Sequence, residues 1–216
     1  MQCRHRFIVV EGPIGVGKTT LANRLTESFG GTPVLEQADL NPFLERFYRN
    51  PREAALSTQL HFLLQRAEQM RELGQPDLFE RVRVADFLLA KDRVFAEVNL
   101  DADELRLYLQ LYEHLTIEAA KPDLVIYLQA PVNVLRERID RRGIDYERNM
   151  GADYLQALCD AYTRLFHEYD ETPLLIVNAA EINLADREVD YRALVDQVQR
   201  IDSGRHFFNP APLALA

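Results

Sequence analysis

Short runs of apolar residues alternate with longer amphipathic stretches along this chain of 216 residues. An uninterrupted apolar run is typical of a strand that is buried on both faces of a parallel sheet, whereas apolar residues spaced by three and four indicate a helix with one buried face. On this basis we predict strands at 7–10, 33–36, 78–80, 124–129 and 174–178. We predict helices at 19–29, 41–49, 51–73, 85–97, 103–120, 131–142, 152–169 and 186–201.

This alternation predicts an α/β fold with a parallel sheet of about five strands flanked by helices. We expect a single domain over residues 1–216, with an irregular tail at about 203–216. The helical stretch 41–73 is longer than one crossover needs, which indicates a substrate-binding layer above the sheet. Ligands of such sheets bind at the carboxyl ends of the strands. The polar residues predicted near those ends are Glu11, Glu36, Glu80 and Gln129.

Two of the predicted helices begin with capping signals. Asn50 precedes Pro51, and Glu53 follows three residues after Asn50. Asp101 is likewise followed three residues later by Glu104. In a capping box the first side chain accepts a hydrogen bond from a backbone N–H of the first turn, and the later carboxylate accepts one in return. We therefore predict that Asn50 and Asp101 cap their helices.

The formal net charge of -9 argues against two classes of partner. Nucleic-acid polymers and anionic membranes both favour a basic protein surface, so we expect neither. No apolar run approaches the ~20 residues of a membrane span, and the early first strand leaves no room for a signal peptide. The two cysteines, Cys3 and Cys159, form no metal or redox motif. These features together predict a cytoplasmic protein with a small-molecule ligand.

A glycine-rich motif lies between the first predicted strand and the first predicted helix. Residues 12–19 fit the pattern of Gly, four residues and Gly-Lys-Ser/Thr. The glycines free backbone N–H groups for phosphate oxygens, Lys18 reaches the β- and γ-phosphates, and the Thr19 hydroxyl ligates Mg²⁺. An ordinary glycine-rich turn is the alternative, but the flanking strand and helix favour a phosphate loop for ATP or GTP. The predicted nucleotide-binding residues are Gly12, Pro13, Ile14, Gly15, Val16, Gly17, Lys18, Thr19 and Thr20.

A cluster of arginines precedes Gly143 and predicts an arginine-rich lid over about residues 138–150. Such a cluster would stabilise the charge of a phosphoryl group in transfer, although a solvated basic helix face is the alternative. The chain has no Asn-Lys-x-Asp motif for guanine, and its strand at 124–129 ends without an acidic residue. These absences favour the P-loop kinase fold over a GTP switch or a motor ATPase. The arginines of the cluster are Arg136, Arg138, Arg141 and Arg142.

Three further segments extend the comparison beyond the phosphate loop: Asn41-Pro42-Phe43-Leu44, Ala85-Asp86-Phe87-Leu88 and the lid segment Arg138-Ile-x-x-Arg142-Gly. With them the chain resembles the deoxynucleoside kinase family over about residues 7–178, and most of all its bacterial deoxyadenosine/deoxyguanosine kinase branch, which is similar to deoxycytidine kinase. The resemblance implies ATP-dependent phosphorylation of the 5′-hydroxyl of a deoxynucleoside for nucleotide salvage. It favours deoxyadenosine or deoxyguanosine, with deoxycytidine as an alternative. It also implies a homodimer formed through the helices near 41–49 and 103–120.

The same resemblance implies roles for individual residues. The matching positions are Glu36 as the general base, Tyr48 and Glu147 at the sugar, Gln59, Arg66 and Asp86 at the base edge, Glu80 and Arg81 from a Glu-Arg-Ser motif, and Arg138 and Arg142 in the lid. Thr19 and Glu80 would ligate Mg²⁺, and Phe62 or Phe87 would stack on the base. Val82 replaces the motif's serine, so both Arg81 and Arg83 are candidates for the arginine that holds the 5′-hydroxyl.

Each of these positions also has a plain structural alternative. Asp86 could cap the following helix, and Gln59 and Arg66, which share a helix face, could lie at the surface. Two other functions stay open from the sequence. A nucleoside monophosphate kinase of the thymidylate type usually carries a basic residue where Glu36 stands, and a regulatory P-loop protein would have no use for a hydroxyl base.

Overall fold

A single parallel sheet forms the centre of the protein. The computed structural model describes residues 3–74, 81–116, 119–182, 184 and 187–209. Within them the sheet has six strands in the order β2-β3-β1-β4-β5-β6, so the prediction of about five strands missed one. The strands are β1 (Phe7–Glu11), β2 (Thr32–Val34), β3 (Arg83–Ala85), β4 (Leu124–Gln129), β5 (Leu174–Asn178) and β6 (Arg205–Phe208).

Helices cover both faces of this sheet. Leu21 of the first helix and Leu194 of the last pack on one face, and Val94 and Phe166 from two other helices pack on the opposite face. All four side chains are buried. The helices are α1 (Lys18–Phe29), α2 (Leu44–Arg49), α3 (Pro51–Leu73), α4 (Lys91–Asn99), α5 (Ala102–Thr116), α6 (Val132–Arg142), α7 (Ala152–Glu168) and α8 (Glu188–Arg200). Short 3-10 helices lie at Ala38–Leu40 and Asp145–Asn149.

The helix starts agree with the sequence at α5 and differ in detail at α3. Asp101 Oδ1 accepts hydrogen bonds from the N–H groups of Asp103 and Glu104, and the Glu104 carboxylate accepts one from the Asp101 N–H. The predicted capping box is therefore confirmed. Helix α3 has the predicted bounds, but Asn50 makes no side-chain cap. Its amide donates instead to the Glu53 carboxylate at 3.0 Å.

The predicted secondary structure differs from the observed one in two regions. The third strand is Arg83–Ala85, and the predicted strand at 78–80 lies outside the described residues. Helix α4 accordingly begins at Lys91 and not at residue 85. The tail expected to be irregular contains β6, which pairs with β5 in parallel. This edge strand is mostly exposed. It therefore does not need the uninterrupted apolar run by which the buried strands are predicted.

Helices α2 and α3 form the predicted layer above the carboxyl edge of the sheet. Phe47 packs with Ala54, Ala55 and Phe62 in a separate apolar cluster. The Asn41 amide ties the start of this layer to α3 by donating to the Thr58 carbonyl at 3.1 Å. Among the described residues, no helix is both long and apolar enough to cross a membrane.

Candidate active site

The loop between β1 and α1 has the backbone of a phosphate-binding loop. Gly12, Gly15 and Gly17 have φ angles of 149°, 83° and 105°. Residues with a side chain rarely adopt such positive φ angles. A Cβ on Gly12 would also lie 2.4 Å from the Leu128 carbonyl oxygen, so the close approach of β1 and β4 requires glycine here. The loop then passes directly into α1, whose N-terminal N–H groups suit an anion.

Lys18 folds back onto this loop. Its ammonium group donates to the carbonyl oxygens of Gly12 at 2.8 Å and Pro13 at 3.1 Å. Burial, together with the neighbouring positive charge of Lys91, lowers the pKa of Lys18 to about 8, although nearby carboxylates act in the opposite direction. The ammonium groups of Lys18 and Lys91 are therefore close enough to repel each other at the carboxyl ends of the strands.

Glu11 holds three parts of the site together. It is fully buried, and its carboxylate accepts hydrogen bonds from the Gly12 N–H at 2.8 Å, the Tyr162 hydroxyl at 3.0 Å and the Leu88 N–H at 2.7 Å. These contacts join the phosphate loop to the segment before α4 and to α7. Glu11 therefore supports the loop from below.

Glu36 lies between two cations just beyond the end of β2. Its carboxylate forms an ion pair with Arg66 and accepts a hydrogen bond of 2.6 Å from the Lys91 ammonium group. Burial alone would raise the pKa of Glu36, but the charges of Arg66 and Lys91 outweigh it and hold this pKa well below its ordinary value. Glu36 is therefore a charged carboxylate at neutral pH.

Arg66 links Glu36 to a second acid, Asp92. All three side chains are mostly or wholly buried, and Arg66 pairs with both carboxylates. Burial raises the pKa of Asp92 to about 6 in spite of the Arg66 charge. Within the described residues, Arg66 Nε, Asp92 Oδ2 and Gln59 Oε1 are buried without a hydrogen-bond partner. Unused donors and acceptors of this kind can recognise a polar ligand.

Asp86 lies at the phosphate loop and not with Arg66. One carboxylate oxygen accepts a hydrogen bond of 2.5 Å from the Thr19 hydroxyl, and the other accepts one of 2.7 Å from the Glu36 N–H. The predicted place of Asp86 at the base edge is therefore wrong, because the residue immediately follows β3 and so lies at the carboxyl edge of the sheet. The acid beside Arg66 is Asp92, six residues later.

Arg81 and Arg83 lie at the amino ends of the strands, opposite the end of the sheet that carries the phosphate loop. Arg83 is the first residue of β3 and pairs with Phe7, the first residue of β1, whereas the phosphate loop follows the last residue of β1. The Arg83 guanidinium donates to the Leu73 carbonyl. Because the strands are parallel, neither arginine reaches the phosphate loop, and the expected placement of either one there is wrong. Glu80, the predicted Mg²⁺ ligand, lies outside the described residues.

The lid arginines separate into two groups. Arg138 donates to the carbonyl oxygens of Val16 at 3.1 Å and Ala179 at 2.7 Å, so it lies against the phosphate loop. Arg142 pairs with Glu147, and Gly143 ends α6 in the left-handed conformation. Arg141 pairs only with Glu137 on the exposed face of α6 among the contacts described. The lid thus supplies Arg138 at the loop and Arg142 beside the cavity.

A cavity of about 260 Å³ joins most of these groups. Arg66 stacks over the ring of Phe62 at 4.6 Å, and Tyr48 stacks on Tyr146 at 5.3 Å. Phe87, the alternative stacking residue, is fully buried in the core beneath the site. The sequence-predicted residues that line the cavity are Ile14, Gly15, Lys18, Thr19, Glu36, Tyr48, Gln59, Phe62, Arg66, Asp86, Arg142 and Glu147.

Sequence reasoning missed Lys91, which lines the cavity, and Asp92, which supports Arg66 from behind. Both fell in the interior of a helix that was predicted to begin at residue 85. In the structure α4 begins at Lys91, so Lys91 and Asp92 form the first turn of the helix at the carboxyl ends of the strands.

Comparison with known proteins supports a kinase. The family model for deoxynucleoside kinase matches residues 8–202. The deoxyguanosine kinase of Bacillus subtilis is 36% identical over 157 residues, which are 72% of this chain and 76% of that protein. The deoxyadenosine/deoxycytidine kinase of the same organism is 27% identical over 208 residues, covering 92% of this chain and 94% of its own.

Comparison with solved structures gives the same result for the fold. A deoxyadenosine kinase from M. mycoides, solved with the products dCMP and dCDP, superimposes with a TM-score of 0.79 at 22% identity and covers 90% of this chain and 100% of its own. The same enzyme with bound dATP gives a TM-score of 0.78 at 23% identity, over 90% of this chain and 99% of its own. The chain therefore belongs to the deoxynucleoside kinase family and is an enzyme that phosphorylates a deoxynucleoside with ATP as the donor.

Proposed function

We propose that the protein converts a purine deoxynucleoside, deoxyguanosine or deoxyadenosine, to its 5′-monophosphate. The observation that carries the proposal is the single cavity that contains both Lys18 of the phosphate loop and the buried polar pair of Gln59 and Arg66. The Gln59 amide offers a donor and an acceptor to a base edge, and the Arg66 guanidinium offers donors. Deoxycytidine is the next candidate, and we expect thymidine to be poor.

Glu36 is the proposed proton acceptor. It borders the same cavity as Lys18 and Thr19, so a 5′-hydroxyl that approaches the γ-phosphate in line would meet its carboxylate. The ion pairs with Arg66 and Lys91 keep Glu36 charged before substrate binds. The entering hydroxyl then donates to Glu36, and its proton passes to this carboxylate as the oxygen attacks phosphorus.

Thr19 and Asp86 are the proposed holders of Mg²⁺. Their oxygen atoms lie 2.5 Å apart beside the phosphate loop. Mg²⁺ prefers oxygen ligands such as a hydroxyl and a carboxylate, and it usually takes only a few of them from the protein. This assignment gives Asp86 the part that the sequence gave to Glu80. When bound with ATP, the metal neutralises phosphate charge.

The rim of the cavity is the proposed sugar site. Glu147 is buried and held by Arg142, so its carboxylate is positioned to accept a hydrogen bond from a 3′-hydroxyl. Tyr48 borders the same space with its ring against Tyr146. A ring in this place would crowd a 2′-hydroxyl and favour deoxyribose. Arg138 and Arg142 would offset charge on the phosphoryl group as the lid closes.

The predicted homodimer interface comprised the helices near 41–49 and 103–120. The second of these corresponds to α5, which together with α3 carries exposed apolar residues. Leu64 is 57% exposed, Leu107 is 49% exposed and Leu111 is 39% exposed. These two helices pack against each other, so the leucines belong to neighbouring surfaces that a second copy could cover. The cytoplasmic location stays a prediction.

A substrate screen tests the proposed function. ATP consumption is measured with the four common deoxynucleosides, their ribonucleosides and their monophosphates, each in the presence of Mg²⁺. We expect the highest kcat/KM with deoxyguanosine or deoxyadenosine. A preference for a monophosphate would support the thymidylate-kinase alternative, and turnover with none of these compounds would support the regulatory alternative.

A further inference from the structure

Lys91 is a buried cation of the cavity that the sequence did not predict. It is the first residue of α4, its side chain is only 4% exposed, and its ammonium group donates to Glu36 Oε2 at 2.6 Å. The same cavity is lined by Lys18 and Thr19 of the phosphate loop. A buried ammonium group in the cavity that the phosphate loop shares with the proposed base is costly to desolvate, which makes a purely incidental placement unfavourable.

Two other cations of the cavity, Arg66 and Arg142, are already engaged by carboxylates. Arg66 is held by Glu36 and Asp92 at once, and Arg142 is held by Glu147. Arg81 and Arg83 lie at the opposite edge of the sheet. An ammonium group has three N–H donors, and Lys91 gives one of them to Glu36, so it can contact a second anion at the same time.

We propose that Lys91 is a catalytic residue that contacts the transferring phosphoryl group and the 5′-oxygen, in the part first predicted for Arg81. The inference rests on the proposed role of Glu36. During transfer, the 5′-oxygen forms a bond to the γ-phosphorus as its proton passes to Glu36. The bond from that phosphorus to the bridging oxygen breaks, and its electron pair leaves with ADP. Lys91 keeps its protons throughout and donates hydrogen bonds.

This arrangement gives Lys91 a partner at every stage. Before the reaction, the negative charge beside it is on Glu36. As Glu36 takes the proton and becomes neutral, negative charge develops on the oxygens of the transferring group. Fixed donors that meet charge as it develops stabilise the transition state more than the bound substrate.

The test compares Lys91→Met with Arg93→Met, which removes a cation two residues along the same helix. Arg93 is 55% exposed and pairs with Glu97 outside the cavity. With saturating ATP, Mg²⁺ and the best deoxynucleoside, we expect Lys91→Met to lower kcat by about 10²-fold or more. Lys91→Arg should recover at least a tenth of the parent kcat, and Arg93→Met should stay within about twofold of the parent.

Binding measurements separate catalysis from a structural role. If Lys91 only balanced the charge of Glu36, Lys91→Met would weaken deoxynucleoside binding or thermal stability and leave kcat within about threefold of the parent; this result would overturn the proposal. If Lys91→Met does not fold, Lys91→Gln keeps a donor for Glu36 without the charge and gives the same comparison. A parent enzyme without activity on deoxynucleosides would refute the proposed function, whereas an active parent with a fully active Lys91→Met would refute only this inference.

Discussion

Asp86 accepts a hydrogen bond of 2.5 Å from the hydroxyl of Thr19, which lies 67 positions earlier in the chain. The contact places a carboxylate from the end of β3 beside the hydroxyl that opens α1. It also separates the positions of two acids, because Asp86 lies beside the phosphate loop and Asp92 pairs with Arg66.

Asp86→Asn should weaken the use of Mg²⁺. The amide keeps the size of the side chain but is a weaker ligand than a carboxylate, so we expect the Mg²⁺ concentration for half-maximal rate to rise at least about tenfold. The measurement is the initial rate as a function of free Mg²⁺. Asp92→Asn is the matched control, for which the KM of the deoxynucleoside should rise with little change in the Mg²⁺ dependence. The reverse pattern would return Asp86 to the base edge.

The stability of the fold should depend on the ionisation of Glu36. Its pKa in the folded protein lies below the ordinary value of 4.5, because the charges of Arg66 and Lys91 outweigh the opposing effect of burial. Its ionic contribution is therefore complete above pH 4.5 and is lost as the pH falls towards the folded pKa. In that range the free energy of unfolding of the parent should fall by up to about 1.4 kcal/mol per pH unit more than that of Glu36→Gln.

Urea unfolding at several pH values between 6 and 3 measures this difference. Glu45→Gln removes an exposed carboxylate of α2 and serves as the control. Parallel curves for the parent and Glu36→Gln would contradict the buried ion pairs of Glu36.

Tyr48 should determine the preference for deoxyribose. We expect the parent to prefer a 2′-deoxynucleoside over its ribonucleoside by at least about tenfold in kcat/KM, or roughly 1.4 kcal/mol. Tyr48→Ala opens the 2′ side and should reduce the preference to about threefold or less. Tyr48→Phe keeps the ring and should keep the preference, although the KM should rise if the hydroxyl contacts the sugar. An unchanged ratio in Tyr48→Ala would place the discrimination elsewhere.

The sequence predicted best where local signals were strong. Strands β4 and β5 have the predicted bounds because each is an uninterrupted apolar run. Helix α3 begins at Pro51 and ends before Gly74 as predicted. Proline is favourable in the first helical turn, and glycine is common just past a helix end.

The position of β3 was not predicted from the sequence, and this error changed which residues were assigned to the site. This strand has only three residues and is held by pairing with β1 and β2, which no local pattern shows. Placing it at 78–80 moved the strand end from Asp86 to Glu80. With the strand at 78–80, the motif falls on Glu80-Arg81, and Lys91 and Asp92 fall in a helix interior. The ion pairs of Glu36 depend on three separate elements, so they required the tertiary structure.

Steady-state kinetics of Glu36→Gln tests most directly whether Glu36 accepts the proton of the 5′-hydroxyl. The amide keeps the reach of the side chain but takes no proton. We predict that kcat with the best deoxynucleoside falls by about 10² to 10⁴, while ATP affinity, measured by titration, stays within about threefold of the parent. A kcat within about threefold of the parent would contradict the account.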